Sequence, residues 1–294
     1  MRFVVPYAAG GGTDITARAA TSKMTDRMNN QPLVIDNRPG GNAMIGADLV
    51  AKAAPDGYTV LVSASSEIVT VQSLFKKVAY DVAKDLVPVT LAATTPNILV
   101  THPSLPVKNL KQLIALAKTR PGQLGYASIG IASPQHLAGE LLQKQAGITI
   151  TNVPYKGSGP GLQDLMAGHL PSMIATISTV LAPHRAGKIR ILAVTAKKRA
   201  RQLPEVPTVI ESGVPDFEVT VWQGYAMPKG TSPAHVKSVH AAMMKALAVP
   251  DLKTRFFENG VAAAPQTPEE FGNFIRKEHA RWGKTIAISS VKVE

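Results

Sequence analysis

The chain has 294 residues and carries 32 Lys and Arg against 20 Asp and Glu, a formal charge of +12. Hydrophobic residues make up 45% and charged residues 18%, enough apolar material to offset the entropy of ordering, so an intrinsically disordered chain is excluded. Cysteine is absent, which excludes disulfides, thiolate nucleophiles and cysteine-held metals, and the length predicts two domains.

Residues 2–6 read as a strand, and residues 13–28 as a helix because Ile15, Ala19, Met24 and Met28 recur at helical spacing. Residues 33–35 form the next strand and 42–53 the next helix, after which an Asp56-Gly57 turn leads into a strand at 58–63. The uncharged stretch 86–107 is broken by Pro88, Pro96, Pro103 and Pro106, so it does not read as a membrane span of roughly 20 apolar residues. A second series follows: helix 110–118, strand 124–128, helix 137–145, strand 150–154, helix 162–167, and strands 173–176 and 190–195. Such alternation predicts an α/β protein of βαβ units with mixed, mostly parallel sheets.

The tail differs. Residues 235–247, 252–258 and 269–286 are helical patterns with no strand expected between them. Helices after the last strand must cover a sheet already built, and the economical arrangement returns them to the first domain. The chain then crosses twice, near 96–99 and near 219–224. This predicts a discontinuous lobe of residues 1–97 and 221–294, a second lobe of 98–220, and a hinged cleft between the two.

The positive charge is spread along the chain, with one cluster at Lys197, Lys198, Arg199 and Arg201. No helix-turn-helix, zinc-finger or RNP pattern accompanies it, so it reads as a solvated loop and no nucleic-acid partner is expected. A net positive field still attracts anionic small molecules.

In open parallel sheets, ligands bind at the carboxyl ends of strands beside helix N-termini. That rule selects five segments: Tyr7-Ala8-Ala9-Gly10-Gly11-Gly12-Thr13-Asp14; Ala64-Ser65-Ser66; Ser128-Ile129-Gly130-Ile131-Ala132-Ser133-Pro134-Gln135-His136; Tyr155-Lys156-Gly157-Ser158-Gly159; and Ile177-Ser178-Thr179 after the strand ending at Thr176. All are rich in Gly, Ser or Thr, which lets a ligand approach main-chain N–H groups, and the helix dipole there favours an anion. Any one of them alone is an ordinary tight turn. Asp14, the one carboxylate in the first loop, either stabilises that helix start or accepts a donor from a ligand.

Enzyme signatures are weak. The glycine loop lacks GK[ST] and full GxGxxG spacing. Gly125-Tyr126-Ala127-Ser128-Ile129-Gly130 has one residue too many for a nucleophile elbow. The seven histidines form no HExxH motif or close ligand pair, and no acidic pair flanks a candidate site, so neither a metal nor a cofactor is expected. The alternatives to a solute receptor are a serine hydrolase using Ser128 with His136, and an effector-sensing domain, which would need a DNA-binding module the sequence does not encode.

Across these loops the sequence resembles the tripartite tricarboxylate transporter substrate-binding proteins, the Bug receptors. The matching stretches are Val4-Val5-Pro6-Tyr7-Ala8-Ala9-Gly10-Gly11-Gly12-Thr13-Asp14, Asn37-Arg38-Pro39-Gly40-Gly41 and Asp56-Gly57-Tyr58-Thr59. Further on come Ser133-Pro134-Gln135-His136-Leu137-Ala138-Gly139-Glu140, Val153-Pro154-Tyr155-Lys156-Gly157, Leu192-Ala193-Val194-Thr195, Pro204-Glu205-Val206-Pro207-Thr208 and Trp222-Gln223-Gly224.

The resemblance implies a monomeric periplasmic receptor with two α/β lobes, a periplasmic-binding-protein-like fold that closes on a small carboxylate and then docks on the carrier's membrane subunits. It implies a secretion leader removed ahead of the first strand, and no enzymatic role. It places Tyr7, Ala8, Ala9, Gly12, Thr13 and Asp14 at the ligand from one lobe, and Ser128, Gly130, Ser133, Gln135 and His136 from the other, with Tyr155, Lys156 and Thr176 nearby. The grip would come from main-chain amides and hydroxyls, not from a dedicated arginine. Trp222 is expected to pack. Two departures bear on specificity. Ala175-Thr176-Ile177-Ser178 stands where many members have an acidic residue or asparagine, which favours a ligand without an ammonium group. Ser65-Ser66-Glu67 brings a carboxylate to the expected cleft edge, where it would reject diacids or face water.

Overall fold

The computed structural model describes residues 1–25, 28 and 31–288. The chain runs β1 (Arg2–Val5), α1 (Gly12–Thr21), β2 (Val34–Asn37), α2 (Met44–Ala51) and β3 (Thr59–Ala64), followed by a π-helical turn at Ser66–Thr70. Two single-turn helices, α3 (Val71–Leu74) and α4 (Val82–Asp85), precede a long strand, β4 (Leu86–Thr101). Next come α5 (Leu110–Thr119), β5 (Gly125–Ser128), α6 (Pro134–Ala146), β6 (Thr151–Pro154), α7 (Ser158–Met166), β7 (Ser172–Thr176), α8 (Ile177–Arg185) and β8 (Arg190–Val194). The chain ends with β9 (Thr220–Pro228), α9 (Pro233–Ala248), α10 (Pro250–Glu258), β10 (Ala262–Ala263) and α11 (Pro268–Ile288).

Contacts divide the chain into two compact units: Met1–Thr94 with Trp222–Lys284, and Thr95–Val221 with described residues after Lys284. In the first unit β1 pairs in parallel with β2 and β3, and β3 pairs antiparallel with β9. Alternation along each strand separates two faces. Phe3, Val5, Val60 and Val62 join Ala17 and Ala20 of α1 and Val239 and Met243 of α9 in one buried core. Burying a side chain of that size contributes about 1.5–3 kcal/mol. The opposite face carries Ser63, Gly224 and Ala226, and a side chain at Gly224 would run into the Phe271 ring of α11. In the second unit β5 pairs in parallel with β6 and β7, while β7 and β8 pair antiparallel with the second half of β4. Its core gathers Ile98, Val100, Ala127, Leu165, Met173, Val180 and Val194.

Four expectations need correction. The first helix ends at Thr21 rather than near residue 28, and residues 26 and 27 of the expected span lie outside the described residues. Thr21 and Ser22 donate their hydroxyls back to the carbonyls of Ala17 and Ala19, each at 2.9 Å. The chain then tightens into i−3 bonds at Lys23 and Met24, as back-bonding hydroxyls promote. Strands β4 and β9 were not read from the sequence. Pro96 looks like a breaker in β4, yet it falls where the partner changes: Ala93 and Thr94 pair with β10, and Asn97 onward pairs with β7. A proline that donates no ladder bond fits that switch. The tail also contains a strand, β10, too short for a period to show. Finally, residues 177–179 are the first turn of α8, which follows β7 without an intervening loop, and Ser65 and Ser66 open a helical segment rather than a loop.

Candidate functional site

The expected site residues occur in both units. In the first unit, Tyr7, Ala8 and Ala9 form the turn between β1 and α1, and Gly12, Thr13 and Asp14 make the first turn of α1. Gly11 occupies the N-cap and supplies no side-chain acceptor. The opening N–H groups of α1 therefore lack both intrahelical and side-chain partners, the arrangement that receives anions.

Asp14 resolves one of the two roles left open for it. Its carboxylate is buried and accepts from the Gly10 N–H at 2.9 Å, the Arg18 guanidinium at 3.0 Å and Asn37 Nδ2 at 3.0 Å. Burial pushes its pKa up, but the Arg18, Gly10 and Asn37 bonds outweigh this and hold the carboxyl below its usual range. Asp14 therefore fastens the loop. Asn37 also donates to the Tyr7 carbonyl at 3.0 Å, and Gln223 Nε2 donates to the Thr13 carbonyl at 3.1 Å.

Glu67 does not sit at an exposed edge. It is fully buried, accepting the Tyr7 hydroxyl at 2.6 Å and the Ala64 N–H at 2.5 Å. Its own carbonyl accepts the Tyr80 hydroxyl at 2.6 Å. Desolvation raises its pKa from 4.5 to about 7, against the lowering effect of the Tyr7 and Ala64 bonds. The same burial, and then the facing Glu67 carboxylate, push the Tyr7 phenol well above its ordinary value. Of the two expectations for Glu67, facing water does not hold: the carboxylate is buried and holds Tyr7. Ser65 opens the π-turn, and its hydroxyl is buried without a hydrogen-bond partner.

In the second unit, the Ser133 hydroxyl caps its own helix by accepting the His136 N–H at 3.1 Å, and Pro134 takes the first helical position. Gln135 is buried and donates to Asn97 Oδ1 at 2.8 Å; Gln135 Oε1 and Asn97 Nδ2 are buried and unpartnered. His136 Nδ1 accepts the Ala132 N–H at 3.1 Å, so in the neutral ring the proton lies on Nε2, 3.7 Å from Glu140. Burial lowers its pKa despite that carboxylate. The fully buried Ser128 hydroxyl donates instead to the Gly130 carbonyl at 3.3 Å. Ser128 and His136 therefore form no nucleophile–base pair, which removes the serine hydrolase alternative.

Tyr155 donates to Asp164 at 2.5 Å, and burial with that bond moves its pKa to about 12. Lys156 is exposed. Gly157, at φ 134°, is the N-cap of α7 and offers no side-chain cap; a residue with a Cβ is strained there. Thr176 is the N-cap of α8 and likewise does not cap it, its hydroxyl meeting Thr179 Oγ1 at 2.7 Å and accepting from Ser178 at 3.2 Å. The helix starts of α1, α7 and α8 are thus uncapped, as are those of α2, α3 and α10, whereas α5, α6 and α9 are capped by Asn109, Ser133 and Ser232.

Asn37, Glu67, Asn97 and Gln223 were not named as site residues. Asn37 and Gln223 lie in stretches that carry the family resemblance, which was the available signal. Trp222 packs against Phe271 and Phe274 at 5.7 and 5.5 Å between ring centroids, as expected for a packing residue.

The family model for the tripartite tricarboxylate transporter family receptor matches residues 16–290. The BugT protein of Bordetella pertussis is 36% identical over 100% of this chain and 90% of its own length. Among solved structures, the R. palustris protein Rpa4515 with adipate is 35% identical, covers 97% of this chain and 95% of its own, and superposes with a TM-score of 0.94. MatC from Rhodopseudomonas palustris, with bound malate, is 32% identical over 97% of this chain and 98% of its own, with a TM-score of 0.92. These are receptors rather than enzymes. The chain belongs to the tripartite tricarboxylate transporter receptor family, the Bug solute-binding proteins.

Proposed function

We propose that this protein is an extracytoplasmic receptor for a small carboxylate, and that it delivers the ligand to the membrane subunits of a tripartite tricarboxylate transporter. The two compact units act as its lobes. The carboxylate is gripped by main-chain N–H groups at uncapped helix starts, α1 in one unit and α7 and α8 in the other, and only a closed state satisfies both sets. The observation that carries this reading is the pattern of capping. Three of the four long helices that start in the predicted ligand loops, at Gly11, Gly157 and Thr176, have no side-chain cap, while the fourth, α6, is capped by Ser133. Adipate and malate in two related structures point to the same ligand class. Asp14, Asn37, Glu67 and Gln223 then position the first loop, while Ser65, Asn97 and Gln135 offer buried polar atoms to a ligand.

Calorimetry on protein stripped of co-purified molecules tests this, using adipate, malate, short monocarboxylates, aspartate and glutamate. At least one non-amino acid should bind with Kd on the order of micromolar or tighter. Uniform failure across the panel, or binding confined to the amino acids, contradicts the proposal.

A further inference from the structure

A cavity lies within the first unit, and no residue of the β1–α1 loop lines it. It measures about 360 Å³ and is bounded by β3, the π-turn, α4, β9 and α11. A volume of that order matches small-molecule sites. Its walls are mainly apolar, with Ile68, Val82, Leu86, Phe271 and Ile275, and its polar groups are Ser63, Gln72, Asp81, Arg276 and His279.

Three features set it apart from a packing defect. First, small residues keep it open. Gly272 sits on the wall within α11, where glycine costs about 1 kcal/mol relative to alanine. A Cβ there would make only ordinary contacts, 3.5 Å from Pro88 Cγ and 3.9 Å from Arg276. Neither a clash nor backbone conformation therefore demands glycine at this position.

Second, Ser63 is fully buried, faces the cavity and has no hydrogen-bond partner for its hydroxyl. Leaving a buried hydroxyl unpaired is costly, and a ligand atom would relieve the cost.

Third, Arg276 and His279 stand three residues apart on the same helix, so both reach the same wall. Among the described residues Arg276 forms no ion pair; its side-chain partner is the neutral Asn273. The one carboxylate on the wall, Asp81, is occupied with Lys84 at 2.9 Å and with the N–H groups of Ala83 and Lys84.

We propose that this cavity is a second ligand site, for a small aromatic monocarboxylate bearing a hydroxyl. The ring lies against Phe271 and Ile275, the carboxylate meets Arg276, and the hydroxyl pairs with Ser63 Oγ. The site does not depend on the helix-tip site proposed above, because no residue of the first loop lines it.

Calorimetry with 4-hydroxybenzoate, and with benzoate as the comparator, tests the assignment. Both should bind, 4-hydroxybenzoate more tightly. Gly272→Leu, which fills the cavity without straining the helix, should abolish binding of both. Arg276→Gln, an exposed change that leaves the fold intact, should weaken both about tenfold, the worth of a charge-assisted hydrogen bond. Ser63→Ala should bring 4-hydroxybenzoate down to the benzoate level and leave benzoate unchanged. Asp14→Ala should leave all these affinities in place. The proposal is overturned if neither probe binds, if Arg276→Gln binds both as wild type does, or if Asp14→Ala rather than Arg276→Gln removes binding. If Gly272→Leu fails to fold, Arg276→Gln and Ser63→Ala decide the matter.

Discussion

Replacing Glu67 by Gln isolates one buried ionisation. The wild-type carboxyl titrates near 7 in the folded chain, against an ordinary value of 4.5. Below pH 4.5 it is protonated in both states and contributes no pH dependence. Between pH 4.5 and 7 the unfolded chain releases the proton while the folded chain retains it, so stability falls as pH rises; above 7 the loss is complete. A shift of this size corresponds to about 3 kcal/mol. Gln keeps the shape, still accepts the Ala64 N–H, and cannot ionise. The variant's stability relative to wild type should therefore grow by about 3 kcal/mol between pH 4.5 and pH 8, whatever offset the substitution adds at low pH. Urea denaturation at the two pH values measures it, followed by intrinsic fluorescence. Both tryptophans, Trp222 and Trp282, are buried in the same unit as Glu67. A difference that stays constant across the pH range, or one that shrinks, refutes the reasoning.

Asp14→Ala removes a buried acceptor shared by Gly10, Arg18 and Asn37, one of whose bonds is charge-assisted. It should cost about 1–3 kcal/mol in denaturation and lower affinity for the carboxylate found by calorimetry by more than tenfold. In wild type, the same carboxyl's lowered pKa means that its contribution persists at neutral pH and is lost as pH falls through its folded value, visible as acid destabilisation that the alanine variant lacks. Gly139→Ala places a methyl group into the Tyr126 ring and should destabilise by about 1–3 kcal/mol, with Tyr126→Ala partly suppressing the effect in a double-mutant cycle. Gly157→Ala strains the α7 start at φ 134° and should weaken carboxylate binding; affinity equal to wild type would remove that loop from the site.

The helices were legible wherever apolar residues kept a helical period, and the ligand loops were legible because Gly, Ser and Thr cluster after strands. What escaped has specific causes. Strands β4 and β9 supply the antiparallel half of the sheets, and prolines masked the first of them; Pro96 is harmless because the strand changes partner there. The starts of α6 and α7 were placed several residues late, since Pro134 and Gly157 read as loop residues rather than as a first helical position and an N-cap. Glu67 was misplaced because a carboxylate next to serines normally faces water. Its partner, Tyr7, lies 60 residues away, and local pattern carries no trace of that contact. Asp14 was read as a stabiliser of the α1 start or an acceptor for the ligand, but the bond that fastens it depends on Asn37, 23 residues on.

The most direct test of the central claim is a crystal structure of the protein with adipate bound. Adipate carboxylate oxygens should lie on main-chain N–H groups at the Gly12–Thr13 turn and at the α7 or α8 start, with no arginine side chain paired to the ligand there. A ligand salt-bridged to an arginine at these helix starts, or no adipate at any of them, would contradict it.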